Sequence, residues 1–214
     1  MKVRDIMRTN VVTVTEDTLV TDAKKIMDAH RIRRLPVMKK DKLVGLVTRH
    51  MLLEAAPSPA TSLNIWEMHY LLSKMTVKEI MVKNPSTIPS GMLVEEALEL
   101  GQEKGFGAFP VMDDGRLVGM VTESDIVRMM TRVLGVKEHQ GVRIDIRSPS
   151  KEFGYLRGIL DILDKNKALL LSMMTLPPSD DETDWLIALR VRADDIESIA
   201  NELKSEGFNV TYAG

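Results

Sequence analysis

Two stretches of the chain decide its fold: "LVGLVTRHM", residues 43–51, and "LVGMVTESD", residues 117–125. They share Leu, Val, Gly, Val and Thr in register, and they lie 74 residues apart in a chain of 214 residues. The same spacing aligns further segments without a gap. They are "VRDIM" (3–7) with "VKEIM" (77–81), "LV" (19–20) with "LV" (93–94), and "PVM" (36–38) with "PVM" (110–112). A register held over this length predicts an internal duplication.

Each copy carries the same order of predicted elements, β-α-β-β-α. An apolar run precedes an amphipathic helix, and a second strand turns through "KKDK" or "DDGR" into a third strand and a last helix. The predicted first and second strands are residues 11–14 and 35–38 in one copy, and 86–88 and 109–112 in the other. The predicted helices are residues 18–29 and 51–55, then 93–104 and 125–134. Two such units in tandem can bury their sheets against each other.

The 74-residue register fails from residue 141 onward, and the predicted order of elements changes to β-α-β-β-α-β. This order is the ferredoxin-like split motif. We therefore expect a mixed α/β (α+β) protein with two repeats and a third domain. The expected limits are 1–56 and 77–136 for the repeats, 57–76 for a connecting turn and helix, and 141–214 for the third domain.

Composition excludes several classes of function. A net charge of -2 supplies no global field that would attract nucleic acid or an anionic membrane. The absence of Cys excludes disulfides and thiol catalysis, and it fits a reducing compartment. No apolar run approaches the roughly 18 residues that a membrane-spanning helix needs, and the first ten residues lack the apolar core of a signal peptide. We expect a cytoplasmic protein without nucleic-acid or membrane partners.

Catalytic and metal sites find no support in the linear pattern. The four histidines stand at no metal-ligand spacing, and the glycines of "GQEKGFG" match neither phosphate-binding glycine motif. The acidic run at residues 180–184 is typical of a solvated turn. Since no nucleophile, base and orienting acid can be nominated, we expect no catalytic residues, no metal and no enzymatic activity.

The end of the second repeat carries the most informative pattern. A strand that ends at Thr122 and opens into a helix near Asp125 presents unpaired backbone N–H groups and the positive end of the helix dipole. An Asp there would repel phosphate, but its carboxylate could accept two hydrogen bonds from the hydroxyls of a ribose. The same spacing is close to a capping box, in which Thr122 and Asp125 need no ligand. The first repeat has Met51 in place of the acid, and both interpretations stay open.

The two repeats resemble the cystathionine-β-synthase (CBS) domain pair, or Bateman module, over residues 1–134, because several motifs occur in fixed order. The glycine, hydroxyl and acid of the family's last motif match Gly119, Thr122 and Asp125. The resemblance implies a pseudo-twofold pair whose clefts bind an adenosine nucleotide or related adenosyl ligand: AMP, ADP, ATP or S-adenosylmethionine. It also implies the ligand-binding residues, which are Ser86, Thr87, Ile88, Gly107, Ala108, Phe109, Pro110, Thr122 and Asp125.

The first repeat departs from that pattern. Small residues at Gly107 and Ala108 would allow a flat base to approach the backbone closely, whereas the first repeat has Arg33 and Arg34 there, with Arg31 just before. We expect one competent cleft and one altered cleft, in which these arginines would donate to phosphates. A solvated basic edge is the alternative interpretation of the arginines.

The third domain resembles an ACT domain, a small regulatory module that pairs edge to edge and often holds an amino acid at the interface. The order of elements and Gly154 carry this resemblance, but "SPSKEFGYL" departs from the family's Asp or Asn and Pro-Gly, so a dimerisation module without a ligand is the alternative. The whole arrangement is similar to the acetoin-utilisation regulatory family. It implies a homodimeric sensor that passes a ligand signal to the ACT dimer or to a regulated partner enzyme. A ligand-free structural adaptor and an amino-acid sensor are the alternatives.

Overall fold

The computed structural model describes residues 1–55, 66, 70, 73–136, 141–148, 154–178 and 184–213. The predicted connecting helix therefore lies largely outside the described residues. The chain divides into two compact units, Met1–Ile126 and Val127–Gly214, and the division falls ten residues before the expected end of the second repeat.

The first repeat forms the elements that the sequence predicts, with shifted ends. They are β1 (Val14–Thr15), α1 (Val20–Ala29), β2 (Arg34–Lys39), β3 (Lys42–Thr48) and α2 (Arg49–Glu54). The first strand is shorter than the predicted range 11–14, and α1 begins later because the Thr18 hydroxyl accepts the Thr15 N–H in a turn. β1 is parallel to β2, and β2 and β3 form an antiparallel hairpin. Spacing of three and four residues puts Val20, Ala23 and Met27 on the buried face of α1.

The second repeat follows the same plan. Its elements are α3 (Val77–Ile80), β4 (Val82–Lys83), α4 (Val94–Lys104), β5 (Ala108–Asp113), β6 (Arg116–Thr122) and α5 (Glu123–Val133). β5 and β6 form an antiparallel hairpin whose register repeats that of β2 and β3. The predicted strand 86–88 is reduced to one parallel bridge, in which Ile88 pairs with Val111 where Val14 pairs with Val37 in the first repeat.

The two repeats exchange their first segments. β4 belongs to the second repeat in sequence, but it completes the sheet of the first repeat by pairing antiparallel with β3. Reciprocally, Arg8 pairs with Met120 of β6. Val3 is fully buried in the core of the second repeat, and Val77 is fully buried in the core of the first.

The two exchanged segments make equivalent backbone hydrogen bonds to the other repeat. The Val3 N–H donates to the Met92 carbonyl (2.9 Å), and the Val77 N–H donates to the Thr18 carbonyl (2.8 Å). The 74-residue spacing of the repeat relates the two donors, Val3 and Val77, and the two acceptors, Thr18 and Met92. Each sheet is therefore finished by chain from the other copy, so the sequence repeat and the structural half are different segments.

The shared glycine of the opening motifs lies where the exchanged segments cross. A Cβ added at Gly119 would lie 2.5 Å from Met7 Sδ and 3.1 Å from the Arg8 carbonyl oxygen, and a Cβ added at Gly45 would lie 2.3 Å from Met81 Sδ. Real Cβ contacts are almost never shorter than 3.0 Å, so a larger residue would force the methionine side chain or the crossing backbone to shift. The glycine that marks the repeat in sequence is a packing requirement of the exchange.

The second unit contains β7 (Val142–Ser148), α6 (Tyr155–Lys165), β8 (Leu169–Leu176), β9 (Trp185–Arg192), α7 (Ile196–Ser205) and β10 (Asn209–Ala213). The predicted order β-α-β-β-α-β is confirmed, and the antiparallel sheet has the spatial order β10-β7-β9-β8. The core lies between this sheet and the two helices. Its buried members are Ile144, Ile146, Ile159, Ile162, Leu163, Ile187, Leu189, Val191, Ile199 and Leu203.

Arg190 of β9 joins the start of this unit to its sheet. Its guanidinium donates to the carbonyl of Leu134, just beyond the end of α5 (3.3 Å), and to the carbonyl of Gly141 (2.9 Å). The last carbonyls of a helix have no partner within it, so a cation at this end satisfies both a hydrogen-bond acceptor and the helix dipole.

Candidate functional site

The first turn of α5 holds the acid that the sequence singled out. β6 ends at Thr122, and the Asp125 carboxylate turns back to accept both the Thr122 N–H (3.1 Å) and the Thr122 hydroxyl (2.6 Å) on Oδ2. These contacts satisfy a backbone donor that the helix itself cannot satisfy. The capping interaction anticipated as the alternative to a ligand role is therefore present.

A second partner of the acid comes from the other repeat. The Arg8 guanidinium donates from Nε to Asp125 Oδ1 at 3.3 Å, and the Asp125 side chain is 1% exposed whereas that of Arg8 is 54% exposed. Within the described residues, Asp125 is the one charged side chain that is buried. Because a buried carboxylate is costly without hydrogen bonds or an opposite charge, the exchanged segment supplies a group that this site needs.

The structural half that contains β3, and that β4 closes, lacks both members of this pair. Val82 lies opposite Leu46 on β3 as Arg8 lies opposite Met120 on β6, and Met51 stands at the position of Asp125. The Thr48 hydroxyl accepts the Met51 N–H there at 3.3 Å, so the hydroxyl alone caps α2. One structural half thus has an acid and an arginine where the other half has two apolar side chains.

Gly107 lies at a contact between the repeats. A Cβ added at Gly107 would lie 2.6 Å from Arg34 Nη2 and 3.0 Å from Glu123 Oε2. Burial lowers the pKa of the half-buried Arg34 guanidinium, and the Glu123 carboxylate opposes that shift. The space left by the missing side chain of Gly107, predicted for a flat base, is thus occupied by Arg34 and Glu123. Arg31 and Arg33 are exposed, and neither supplies one of the three atoms nearest to that Cβ.

A pocket lies between α4, the start of β5 and the start of α5. The space in it that is open to water-sized molecules is about 20 Å³, roughly enough for one water. Of the predicted site residues, Gly107, Ala108, Phe109 and Thr122 line it, and Asp125 does not.

The other predicted residues serve mainly as structure. Ile88 and Pro110 are buried, and the Ile88 N–H donates to the Pro110 carbonyl at 3.2 Å. Thr87 is exposed, and Ser86 is half-buried. Four predicted residues therefore line the pocket beside α4: Gly107, Ala108, Phe109 and Thr122. Ser86 and Thr87 do not line it.

Two site residues escaped the sequence reasoning, Arg8 and Glu123. A signal for Arg8 was available, because the copies differ at both aligned positions: Arg8 and Met51 in the first, Val82 and Asp125 in the second. Reading it required knowing that the first segments cross over. Glu123 offered no comparable signal, since an exposed acid in the first turn of a helix is common on dipole grounds alone.

A wider groove lies elsewhere in the first unit. Its volume is about 820 Å³, a size that a small-molecule site can have. Polar groups line much of it, including Thr9, Asn10, Thr13, Lys40 and Arg116. It lies between the exchanged first segment, the β2–β3 turn and the start of β6.

Neither metal binding nor membrane spanning has support in the described part of the chain. It holds no cluster of three or more His, Cys, Asp or Glu side chains that could hold a metal ion. Among the described helices, none is long and apolar enough to cross a bilayer.

Comparison with known proteins places the repeats in a family. The CBS domain family model matches residues 3–58 and 77–132. A CBS domain-containing protein of Dictyostelium discoideum is 37% identical over 134 residues, which are 62% of this chain and 92% of that protein. Inosine-5'-monophosphate dehydrogenase of Thermoplasma acidophilum is 29% identical over 119 residues, which are 55% of this chain but 21% of the enzyme. The match to that enzyme thus covers a fifth of its length.

Solved structures agree with this assignment. A Vibrio cholerae protein named for acetoin utilisation (AcuB) is 28% identical, with a TM-score of 0.54 over 64% of this chain and 96% of that one. The CBS domain pair of protein MJ0100, in complex with 5'-methylthioadenosine and S-adenosyl-L-methionine, is 28% identical, with a TM-score of 0.51 over 61% of this chain and 95% of that one. CBSX2 in complex with AMP is also 28% identical, with a TM-score of 0.51 over 62% and 97%.

Proposed function

Because the chain belongs to the CBS domain family, we propose that it is a regulatory protein that binds an adenosyl ligand at Asp125. CBS pairs are regulatory ligand-binding modules, and two structural neighbours hold adenosyl compounds: AMP in one, and 5'-methylthioadenosine with S-adenosylmethionine in the other. The observation that carries the proposal is the buried Asp125 carboxylate in the first turn of α5. AMP, ADP, ATP and S-adenosylmethionine are the candidates.

The chemistry at α5 fits a nucleoside. A buried carboxylate accepts ribose hydroxyls strongly, since hydrogen bonds to a charged group are roughly twice as strong as neutral ones. The positive end of the helix favours a phosphate nearby. The base would lie against the small residues Gly107 and Ala108, beside Phe109. The remaining proposed contacts are Ser86, Thr87, Ile88, Pro110 and Thr122.

Ligand entry requires two arginines to move. Arg8 occupies Asp125 Oδ1, and Arg34 occupies the space at Gly107. Both are cations on long side chains, and the backbone of each is held, Arg8 by its bridge to Met120 and Arg34 within β2. Once displaced, each can donate to a phosphate, and Arg34 is the best placed of the three arginines predicted for that role.

A ligand signal would leave the site through α5. Asp125 lies in the first turn of this helix, and Arg190 holds the carbonyl of Leu134 just beyond its end. A ligand changes the conformational balance only by its differential affinity for two arrangements, and displacement of the two arginines provides such a difference.

The second unit would act as an ACT-like dimerisation module. β8 is an edge strand of eight residues, "LLLSMMTL", that contains no charge and no proline. Edge strands usually carry charges or proline that prevent pairing with another chain, so a bare apolar edge favours a second copy as its partner. The regulated partner enzyme would then read the state of this dimer.

A ligand-free adaptor is the second candidate function. It is favoured by the hydrogen bonds that already satisfy Asp125 and by the small volume of the pocket at Gly107. In that case the CBS pair would present surfaces to a partner protein, and no small molecule would change its stability.

Calorimetric titration with AMP, ADP, ATP and S-adenosylmethionine tests the proposal. We expect Asp125→Ala to weaken binding by about 1.5 to 3 kcal/mol, the range for a hydrogen bond to a charged group, or roughly 10- to 150-fold. Met51→Ala, at the aligned position of the first repeat, is the matched control and should bind as wild type does. Thermal unfolding without ligand checks that both variants fold.

Two results would count against ligand binding at Asp125. Equal affinity of wild type and Asp125→Ala would remove the carboxylate from the site. If no adenosyl compound raised the melting temperature of the wild type, the adaptor function would be favoured, since any ligand specific for the native state must stabilise it.

A further inference from the structure

We infer that Arg8 selects phosphorylated over unphosphorylated ligands at Asp125; this inference rests on the proposed function. Arg8 reaches the acid from the exchanged first segment of the other repeat, and its Nε lies 3.3 Å from Asp125 Oδ1. Oδ2 of the same carboxylate already accepts two hydrogen bonds from Thr122. A ribose that engages the carboxylate through its hydroxyls would therefore bind chiefly at Oδ1, where it would crowd or replace the contact of Arg8.

Arg8 can yield its contact without leaving the site. Its N–H donates to the Met120 carbonyl (2.9 Å), and the Met120 N–H donates to the Arg8 carbonyl (3.0 Å), so β6 holds its backbone in place. Its side chain is 54% exposed, so the guanidinium has room to turn toward solvent. The positive charge thus remains within side-chain reach of Asp125 after a ligand has entered.

The two kinds of ligand then meet Arg8 differently. For an uncharged nucleoside, Arg8 is only a competitor for the carboxylate. For a nucleotide, the displaced guanidinium gains a phosphate, which its planar set of donors matches in geometry and charge. Loss of Arg8 should therefore help adenosine slightly and harm AMP strongly.

The first repeat provides an internal comparison. Val82 holds the position on β3 that Arg8 holds on β6, and Met51 replaces Asp125. Acid and arginine are thus present together in one half and absent together in the other. This pattern is what we expect if Arg8 serves the site at Asp125 and has no general role in the exchange.

Titration of adenosine and AMP into wild type, Arg8→Met and Arg8→Lys tests the inference, with Val82→Met as the matched control. In Arg8→Met we expect adenosine to bind equally or up to about 5-fold more tightly, the range for losing a half-exposed ion pair. We expect AMP to bind at least about 10-fold more weakly, as for losing a charge-assisted bond. Arg8→Lys should recover part of the AMP affinity, and Val82→Met should change neither ligand.

The ratio of AMP to adenosine affinity decides the outcome. A ratio in Arg8→Met equal to that of wild type would overturn the selection by Arg8 and leave adenosyl binding intact. Failure of wild type and Arg8→Met to bind either ligand would overturn the inference, and the proposed function would fall with it if ADP, ATP and S-adenosylmethionine also failed to bind. If adenosine bound only to Arg8→Met, Arg8 would be a full block against uncharged nucleosides, which also supports the inference. Circular dichroism of each variant confirms that it folds.

Discussion

Replacing Gly119 with Ala should weaken the packing of the exchanged first segment on β6. The new Cβ would lie 2.5 Å from Met7 Sδ and 3.1 Å from the Arg8 carbonyl oxygen. The Met7 side chain can move, but the Arg8 carbonyl oxygen cannot move freely because it accepts the Met120 N–H. Such overpacking lowers the free energy of unfolding by about 1 to 3 kcal/mol. Replacing glycine also reduces the conformational entropy of the unfolded chain, which raises the free energy of unfolding by about 0.4 to 1 kcal/mol.

Gly91→Ala separates these two effects. A Cβ at Gly91 would meet no atom within 4 Å, so that variant has the unfolded-chain effect without the clash. The difference between the two variants in free energy of unfolding should therefore report the clash alone, about 1 to 3 kcal/mol. Urea unfolding followed by far-ultraviolet circular dichroism measures it.

Double-mutant cycles identify which segment covers Gly119. Met7→Ala removes the nearest side chain, so Gly119→Ala should cost less in that background, with a coupling of about 0.5 kcal/mol or more. Met81→Ala removes the methionine that crosses Gly45 and should show no coupling with Gly119. Coupling to Met81 in place of Met7, or equal stability of Gly119→Ala and Gly91→Ala, would refute the exchanged arrangement.

Three further predictions concern assembly, pH and the second core. Met173→Lys puts a charge on the β8 edge, where Met173 is 40% exposed, and light scattering should show a monomer if the edge pairs two copies. The hydrogen bond from Lys39 lowers the pKa of Glu16 below its value in the unfolded chain, so Glu16 stabilises the fold above the unfolded pKa, and this stabilisation is lost as pH falls through the folded pKa. The stability difference between wild type and Glu16→Gln should thus be largest near neutral pH, disappear in acid, and shrink in high salt, as urea titrations at several pH values would show. Leu203→Ala empties a fully buried site in the second unit and should cost about 2 to 5 kcal/mol in the same unfolding assay.

The order of elements was predictable because each signal is local. The alternation of apolar residues in a strand and their spacing in a helix are visible within about ten residues. Because the repeats are duplicated, each pattern occurs twice, so a chance match is rare. Helix ends shifted by one or two residues because local turns decide them, as at Thr18, whose hydroxyl accepts the Thr15 N–H before α1 begins. The order of elements in the second unit was predictable for the same reason, since its strands and helices alternate with clear turn residues.

The exchange of first segments was not predictable from periodicity. A run such as "IMRTN" shows that a short extended segment exists, but nothing in it specifies which of two similar sheet edges it joins. The partners of Asp125 and Gly107 depend on that choice. Sequence reasoning therefore found the carboxylate and missed Arg8, and it assigned to a base the space at Gly107 that Arg34 and Glu123 fill.

Reciprocal crossing of the first segments also limits how this protein can be dissected. A piece consisting of residues 1–55 would keep the closing strand of its absent neighbour and lack its own, β4. Two copies of that piece could satisfy each other, with residue 7 of one lying over Gly45 of the other, but Arg8 would then face Met51 where an acid is needed. We expect such a piece to dimerise weakly, and we expect the complementary fragment to displace its twin when the two are mixed.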